Sequence, residues 1–304
     1  MSWPTEVSKF VFAIPAERVV EMTMKNLTCV AAVLLTLTIG STSGQAAETI
    51  LQYGFDYTSG TVDDQGGTIT DDSGAANTGY TWVGNGGTYS SDTPSSALTQ
   101  YCTGIGSLSL GGAAVNNVHT ADSPSTAINK SAGSYLEMAD VYNAGGLTVE
   151  AWIKAAPASV ANLVTFAGTV SLDTAPGAAY FFGGTHSAIT NDVWTHVAGV
   201  FTPDAGWTSG DMSGTSDLYV NGVLEESDAA SWTAAFAVRG LGLGGNAYNG
   251  TWNPYTGLVY EPRVSLGALT ADKFTIKPVP EPATAAMLAM AAVGLLAYAW
   301  RKRK

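Results

Sequence analysis

The chain has 304 residues, 46% hydrophobic and only 12% charged, with a formal net charge of −12, 35 glycines and two cysteines. That length suits one large domain with targeting segments, and the acidic balance argues against nucleic acid or anionic lipid surfaces as partners. Two thiols, Cys29 and Cys102, exclude a multi-disulfide scaffold.

Taken from the N-terminus, Met24-Lys25-Asn26, the apolar stretch 27–39 and the small residues ending at Ala46 have the order of a secretory signal. Gly44 and Ala46 meet the demand for small side chains before the cut, so 24–46 reads as a signal peptide for the Sec translocon and signal peptidase. Residues 1–23 bring Glu6, Glu17 and Glu21 where positive charge is needed, so they are expected to be a misassigned upstream start, with translation beginning at Met24. Thr28 stands where a lipoprotein signal needs a small residue before Cys29, and lipidation is not expected. After cleavage Cys102 is left alone, so the exported fold must rest on its core. Between Ala47 and Pro278, six basic residues face 21 acidic ones, a balance of −15, because both targeting ends carry the cations.

The exported stretch is rich in Gly, Thr, Ser, Asn and Asp, and its apolar residues alternate in short runs. This is the pattern of many strands joined by tight turns, with no convincing amphipathic helix. Asn221-Gly222 between 217–220 and 223–226 suits a type I′ hairpin turn. The run 193–201 is apolar on both faces, as expected for a strand in the middle of a sandwich, and 147–154 is another strand.

Four segments, Leu147-Thr148-Val149-Glu150-Ala151-Trp152-Ile153-Lys154, Trp194-Thr195-His196-Val197-Ala198, Leu218-Tyr219-Val220-Asn221-Gly222 and Leu241-Gly242-Leu243-Gly244-Gly245, resemble in order the core strands of laminin-G-like domains. Tyr53-Gly54-Phe55-Asp56 is similar to that family's first strand, 257–264 to its closing strand, and Leu269-Thr270 to the residues that follow it. The resemblance implies an all-β, concanavalin A-like antiparallel jelly roll of two packed sheets over about 49–275. Pro262 departs from the family pattern and cannot donate to a ladder, which places it at an edge or a bulge. The polar stretch 70–101 is expected to be an irregular insertion, either a loop or an inserted hairpin.

Glucanases share this fold, and a retaining glycosidase needs two carboxyl groups about 5–5.5 Å apart. No alternating acid pattern meets that need; Glu225-Glu226-Ser227-Asp228 follows a hairpin turn, where charges protect a sheet edge. His196 is structural by family resemblance, while His119 and His186 lack companions at metal spacing. No enzymatic activity is expected. Binding fits better: the loop 246–255 sets aromatics among asparagines, so that Tyr248, Trp252 and Tyr255 can stack on sugar rings while Asn249 and Asn253 bond hydroxyls. Tyr80, Trp82, Tyr89 and Trp207 are further aromatics in expected loops. The laminin-G resemblance also implies calcium at the sandwich rim, for which Asp63, Asp64, Asp71 and Asp72 are the candidate ligands.

At the C-terminus, a linker at 276–282 holds Pro280-Glu281-Pro282, followed by an apolar run at 283–300 and the basic end Arg301-Lys302-Arg303-Lys304. Eighteen helical residues reach about 27 Å, close to the hydrocarbon thickness of a bilayer. The four cations act as a stop that stays cytoplasmic, leaving the preceding domain outside. The three parts in this order resemble the PEP-CTERM sorting signal of Gram-negative bacteria, which implies recognition of Pro280, Glu281 and Pro282 by an exosortase-type enzyme. The chain is thus expected to be an exported surface or matrix protein, anchored in the inner membrane as a precursor and then moved to the cell surface or beyond. Its expected partner is an exopolysaccharide or a surface protein. A glycan hydrolase of the same fold and a ligand-free structural matrix component are the alternatives.

Overall fold

The structure is a computed structural model and describes residues 48–62, 68–75, 79–83, 87–111, 114–116, 129–131, 134–156, 161–166, 170–182, 185–233, 241–245 and 253–277. The chain divides into two units, Met1–Ala46 and Ala47–Lys304, and every described residue lies in the second. The expected signal segment and the 283–300 run fall outside the described residues, among which no helix is long and apolar enough to cross a membrane.

Two antiparallel sheets form the domain. The first has the order β16 (Val223–Trp232), β15 (Met212–Val220), β14 (Thr195–Pro203), β9 (Leu147–Ala155), β18 (Gly257–Leu266), β5 (Ser107–Ser109) and β4 (Thr88–Ser90), with β1 (Glu48–Gln52) also paired to β18. The second runs β13 (Thr185–Ala188), β12 (Ala178–Phe181), β11 (Val170–Ala175), β10 (Ala161–Phe166), β17 (Leu241–Leu243), β6 (Ala114–Asn116), β3 (Gly79–Val83) and β2 (Thr68–Ile69). A small ladder of β7 (Asn129–Ser131) and β8 (Ser134–Tyr135) stands apart from both. This is the expected sandwich.

Period-two alternation decides which side chains meet between the sheets. Val149, Ala151 and Ile153 of β9 and Val197 and Phe201 of β14 point inward, where they join Leu163, Leu172 and Phe181 of the second sheet. The sheets approach so closely that a Cβ on Gly199 would lie 2.2 Å from the ring of Phe181, and glycine alone leaves room for it. Both faces of the middle strands are buried, because the opposite face of the first sheet carries a second, smaller core of Trp152, Ala198, Val200, Tyr260, Phe274 and Ile276. The lid over this outer face is the segment after β18, which continues through a 3-10 turn at Ala271–Lys273.

Local chemistry explains the connections. Asn221 and Gly222 have φ of 51° and 78°, the left-handed pair that a type I′ turn requires, and they join β15 to β16 with Val220 opposite Val223. β16 is an edge strand of the first sheet, and its charges Glu225, Glu226 and Asp228 guard that edge as expected. Pro262 sits in a bulge, where the β18–β9 register shifts between Tyr260 and Arg263. Its carbonyl still accepts from Tyr53 N at 3.1 Å.

Three expectations are revised. The opening strand is Glu48–Gln52 rather than 53–56, since its ladder with β18 ends at that bulge. The stretch 70–101 is neither a free loop nor a self-contained hairpin: it gives β3 to the second sheet and β4 to the first. A helix, α1 (Met138–Asn143), occurs where none was expected, buries Met138 and Val141, and closes its first turn through Asp140 Oδ2 accepting from Glu137 N at 2.9 Å. Six residues are too few to display a 3.6-residue period.

Candidate functional site

Of the nominated sugar-binding loop, Tyr248, Asn249 and Trp252 lie outside the described residues. Asn253 is exposed with φ of 46°, and its carbonyl accepts from Asn162 N at 2.7 Å. Tyr255 is fully buried in the main core, and its hydroxyl donates to Leu258 O at 3.3 Å. Its ring has no face free for a sugar, so the stacking role expected of it is withdrawn.

The other candidates separate in the same way. Asp63, Asp64 and His119 lie outside the described residues. Asp71 Oδ1 accepts from Gln52 N and Ser73 N at 3.0 Å each, while Asp72 Oδ2 accepts from Gly54 N at 3.1 Å and the Thr103 hydroxyl at 2.8 Å. These carboxylates tie a turn to β1, and no three metal-ligating side chains converge among the described residues. His186 stands opposite Tyr180 in the β12–β13 ladder. Tyr80 and Trp82 belong to β3 and Tyr89 is buried on β4, so these three aromatics are strand residues.

Trp207 remains in a loop, between β14 and β15. There Asp204, Ala205, Gly206, Trp207, Thr208, Ser209, Asp211 and Ser213 line an open cleft of about 290 Å³. The indole is braced rather than buried: its ring lies 5.5 Å from that of Tyr142 on α1, and its Nε1 donates to Gly210 O at 3.1 Å. The Tyr142 hydroxyl accepts from Gly206 N at 2.8 Å, which fixes the loop from the helix side. The unexpected helix therefore positions this aromatic. Carboxylates and hydroxyls around a half-buried indole are groups that can bond sugar hydroxyls beside a flat apolar face.

A second polar constellation lies on the outer face of the first sheet. Glu150 on β9 is opposite Arg263 on β18, and His196 on β14 stands two residues along the ladder on the same face. Glu150 is fully buried; its Oε1 accepts from Arg263 Nε at 2.6 Å and also faces Arg263 Nη2. Its Oε2 meets His196 Nε2 at 2.7 Å, Thr275 N at 2.8 Å and the Thr275 hydroxyl at 3.1 Å. Burial opposes the charge, but the hydrogen bond from His196 and the charge of Arg263 outweigh it and hold the carboxyl below its usual range. Nearby, Glu261 has φ of 49° and is buried; Oε1 accepts from Thr103 N at 2.6 Å and from Gly104 N, and Oε2 from Gln52 Nε2 at 2.9 Å. Burial raises its pKa in spite of those bonds. The sequence marked only His196 of this group, as structural, and that reading agrees with the geometry.

On the second sheet, Asp173 of β11 accepts from Asn162 Nδ2 at 2.9 Å and from the Ser171 hydroxyl at 2.6 Å. Burial pushes its carboxyl up to about 6, against the pull of these two donors. Its folded pKa lies above the unfolded value of about 3.9, so the folded state holds the extra proton and stability falls as pH rises from about 4 through 6. Asp173→Asn keeps the bond from Asn162 through its one amide oxygen, reverses the other so that its Nδ2 donates to the Ser171 hydroxyl, and removes the buried charge. We expect the variant to be about 1–3 kcal/mol more stable at pH 8, with the gain fading by pH 4 in urea titrations. A gain independent of pH would refute the assignment.

No curated protein matches this chain. Among solved structures it is similar to a candidate carbohydrate binding protein from Bacteroides ovatus, at 18% identity and a TM-score of 0.34, covering 45% of this chain and 42% of that one. It is also similar to the receptor binding domain of botulinum neurotoxin type G, at 10% identity and 0.38, covering 74% and 49%. A third is the CBM40 of Ruminococcus gnavus IT-sialidase bound to α2,3-sialyllactose, at 16% identity and 0.30, covering 42% and 80%. The chain spans less than half the length of the first two. Residues 129–273 match the family model of the concanavalin A-like lectin/glucanases superfamily in its laminin-G form, and residues 278–304 match the PEP-CTERM protein-sorting motif. With its strands in that order and its tail in that motif, the chain carries a laminin-G-like, concanavalin A-like domain followed by a PEP-CTERM sorting signal.

Proposed function

We propose that this is an exported, non-enzymatic glycan-binding protein that works in adhesion or assembly of an extracellular polysaccharide matrix. The sorting motif implies processing by an exosortase, with the 283–300 run as a temporary anchor and residues 301–304 left on the cytoplasmic side. The observation that carries the binding reading is the Trp207 cleft, an aromatic face held by α1 and ringed by Asp204, Asp211 and hydroxyl groups. Binding is favoured over hydrolysis because the buried carboxylates Glu150, Asp173 and Glu261 each spend both oxygens on donors of the fold.

Affinity electrophoresis of the mature domain through gels containing polysaccharide from its host tests this. The wild type is expected to be retarded and Trp207→Ala to lose at least tenfold in apparent affinity, which corresponds to about 1.4 kcal/mol. Melting temperatures of the two proteins are compared to exclude unfolding. Equal retardation would remove the cleft from consideration.

A further inference from the structure

The last described stretch before the sorting motif is not a free linker. Leu269 N donates to the Thr148 hydroxyl at 2.9 Å, and Arg263 Nη2 to Lys273 O at 2.6 Å. Phe274 and Ile276 are inserted in the outer core, at 0% and 3% exposure. Gln100 serves as a clamp on the outside. Its Nε2 donates its two hydrogens to Phe274 O at 2.8 Å and Ile276 O at 2.7 Å, with Asp272 O alongside at 3.3 Å, and its backbone N donates to Thr275 O at 2.8 Å. Lys277 closes the segment, with its N donating to Leu98 O at 2.7 Å and its Nζ to Ser96 O at 2.6 Å.

Chain length turns this docking into a constraint on the sorting reaction. Between docked Lys277 and the apolar run at Ala283 stand five residues, 278–282, which include the whole Pro280-Glu281-Pro282 motif. Fully extended, they reach about 17 Å. A domain of this length has a radius of gyration of about 17 Å and is therefore considerably wider than that gap. A membrane enzyme that must take Pro280-Glu281-Pro282 into its active site would have to work in the cleft between bilayer and domain. If the segment detaches as far as Leu269, the tether grows to 14 residues and about 48 Å.

Resting on the sorting reading above, we propose that 269–277 is a releasable latch, closed by Gln100 and by the Glu150–Arg263 pair, and that the exosortase cuts only chains whose latch is open. The docked segment thus sets the processing rate through the fraction of molecules in which it is detached, as for any ligand that binds a minor conformer. Gln100 is a positioning residue for that reaction. It touches the segment leading to the motif, not the motif itself.

A cross-link tests the latch directly. Thr99 and Ile276 face each other in an isolated antiparallel bridge, flanked by the Gln100 N to Thr275 O and Lys277 N to Leu98 O bonds. They form a non-hydrogen-bonded pair, with Cα atoms about 4.5 Å apart, a spacing that suits a disulfide. The full-length chain with Thr99→Cys and Ile276→Cys, in a Cys102→Ser background, is placed in membrane vesicles holding the host's exosortase, and loss of the C-terminal segment is timed with and without reductant. We expect at least tenfold slower processing of the oxidised form, restored by reduction, and faster processing of Gln100→Ala than of wild type. Rates within twofold for the oxidised and reduced forms would overturn the latch. Glu281→Ala separates the two levels: if it is processed like wild type, the sorting reading itself fails, and if it is uncut, the cross-link result judges the latch alone.

Discussion

Glu150→Ala is expected to lower the unfolding free energy by about 3–5 kcal/mol at pH 7, read as a shift of the urea midpoint at constant slope. Burial of Glu150 is complete, and the substitution leaves the Arg263 guanidinium, at 7% exposure, without its counter-charge. His196 loses its Nε2 partner, and its Nδ1 already has none among the described residues. Thr275 N loses its acceptor as well. The cost comes from stranding these groups and not from the worth of the pair itself, so removing several members together should cost less than removing one. Glu150→Leu combined with Arg263→Met should recover at least half of the loss caused by Glu150→Leu alone. An additive double variant would show that the three side chains do not act as a unit.

Acid titration offers an independent view of the same network. The folded pKa of Glu150 is held below its unfolded value of about 4.3, so its contribution is complete above that pH and is lost as pH falls through the folded value. Asp173 works in the opposite sense, relieving the fold as pH drops from about 6 toward 4. Together the two signs give a stability maximum at about pH 4. Asp173→Asn should flatten its alkaline side, and Glu150→Gln its acid side.

These two carboxylates also mark where the sequence stops being legible. Asn221-Gly222 reads as a type I′ turn because two positive φ values are a local demand that few dipeptides meet, and both are found at 51° and 78°. Pro262 reads as a bulge for an equally local reason, its missing N–H. The alternation of β9 and β14 discloses strands buried on both faces, but not what covers the outer one. That cover comes from Phe274, which the family resemblance leaves at the very end of the domain, and from Ile276, which the sequence reading assigns to the linker 276–282. Glu150, His196 and Arg263 meet across three strands drawn from separate parts of the chain, and no spacing along one strand encodes such a meeting. At the proposed binding site, Trp207 was visible as one aromatic among several. Its brace, Tyr142, sits on a helix too short to show a period, and Tyr255 differs from it only in facing the core.

Phe274→Ala is expected to have the other large effect, about 3–5 kcal/mol, because a fully buried phenyl ring leaves a cavity as well as lost transfer energy. The ring stacks on His196 at 5.6 Å and meets Tyr219 edge-on at 5.1 Å, so it joins the latch segment to β14 and β15 at once. How the loss is distributed is the more informative result. Residues 269–277 pack on the sheet from outside, and the main core between the sheets needs none of them. Most of the energy should therefore be spent on local detachment before the sandwich unfolds. Lys273 immediately precedes Phe274, and trypsin at native pH reports that detachment by cutting after it, whereas the Lys277–Pro278 bond resists the enzyme. Cleavage after Lys273 should be at least tenfold faster in Phe274→Ala than in wild type, while the remaining fragment keeps a cooperative urea transition. If instead the two proteins are cut at equal rates, or the variant is degraded throughout, the segment belongs to one cooperative unit with the sandwich and cannot open by itself.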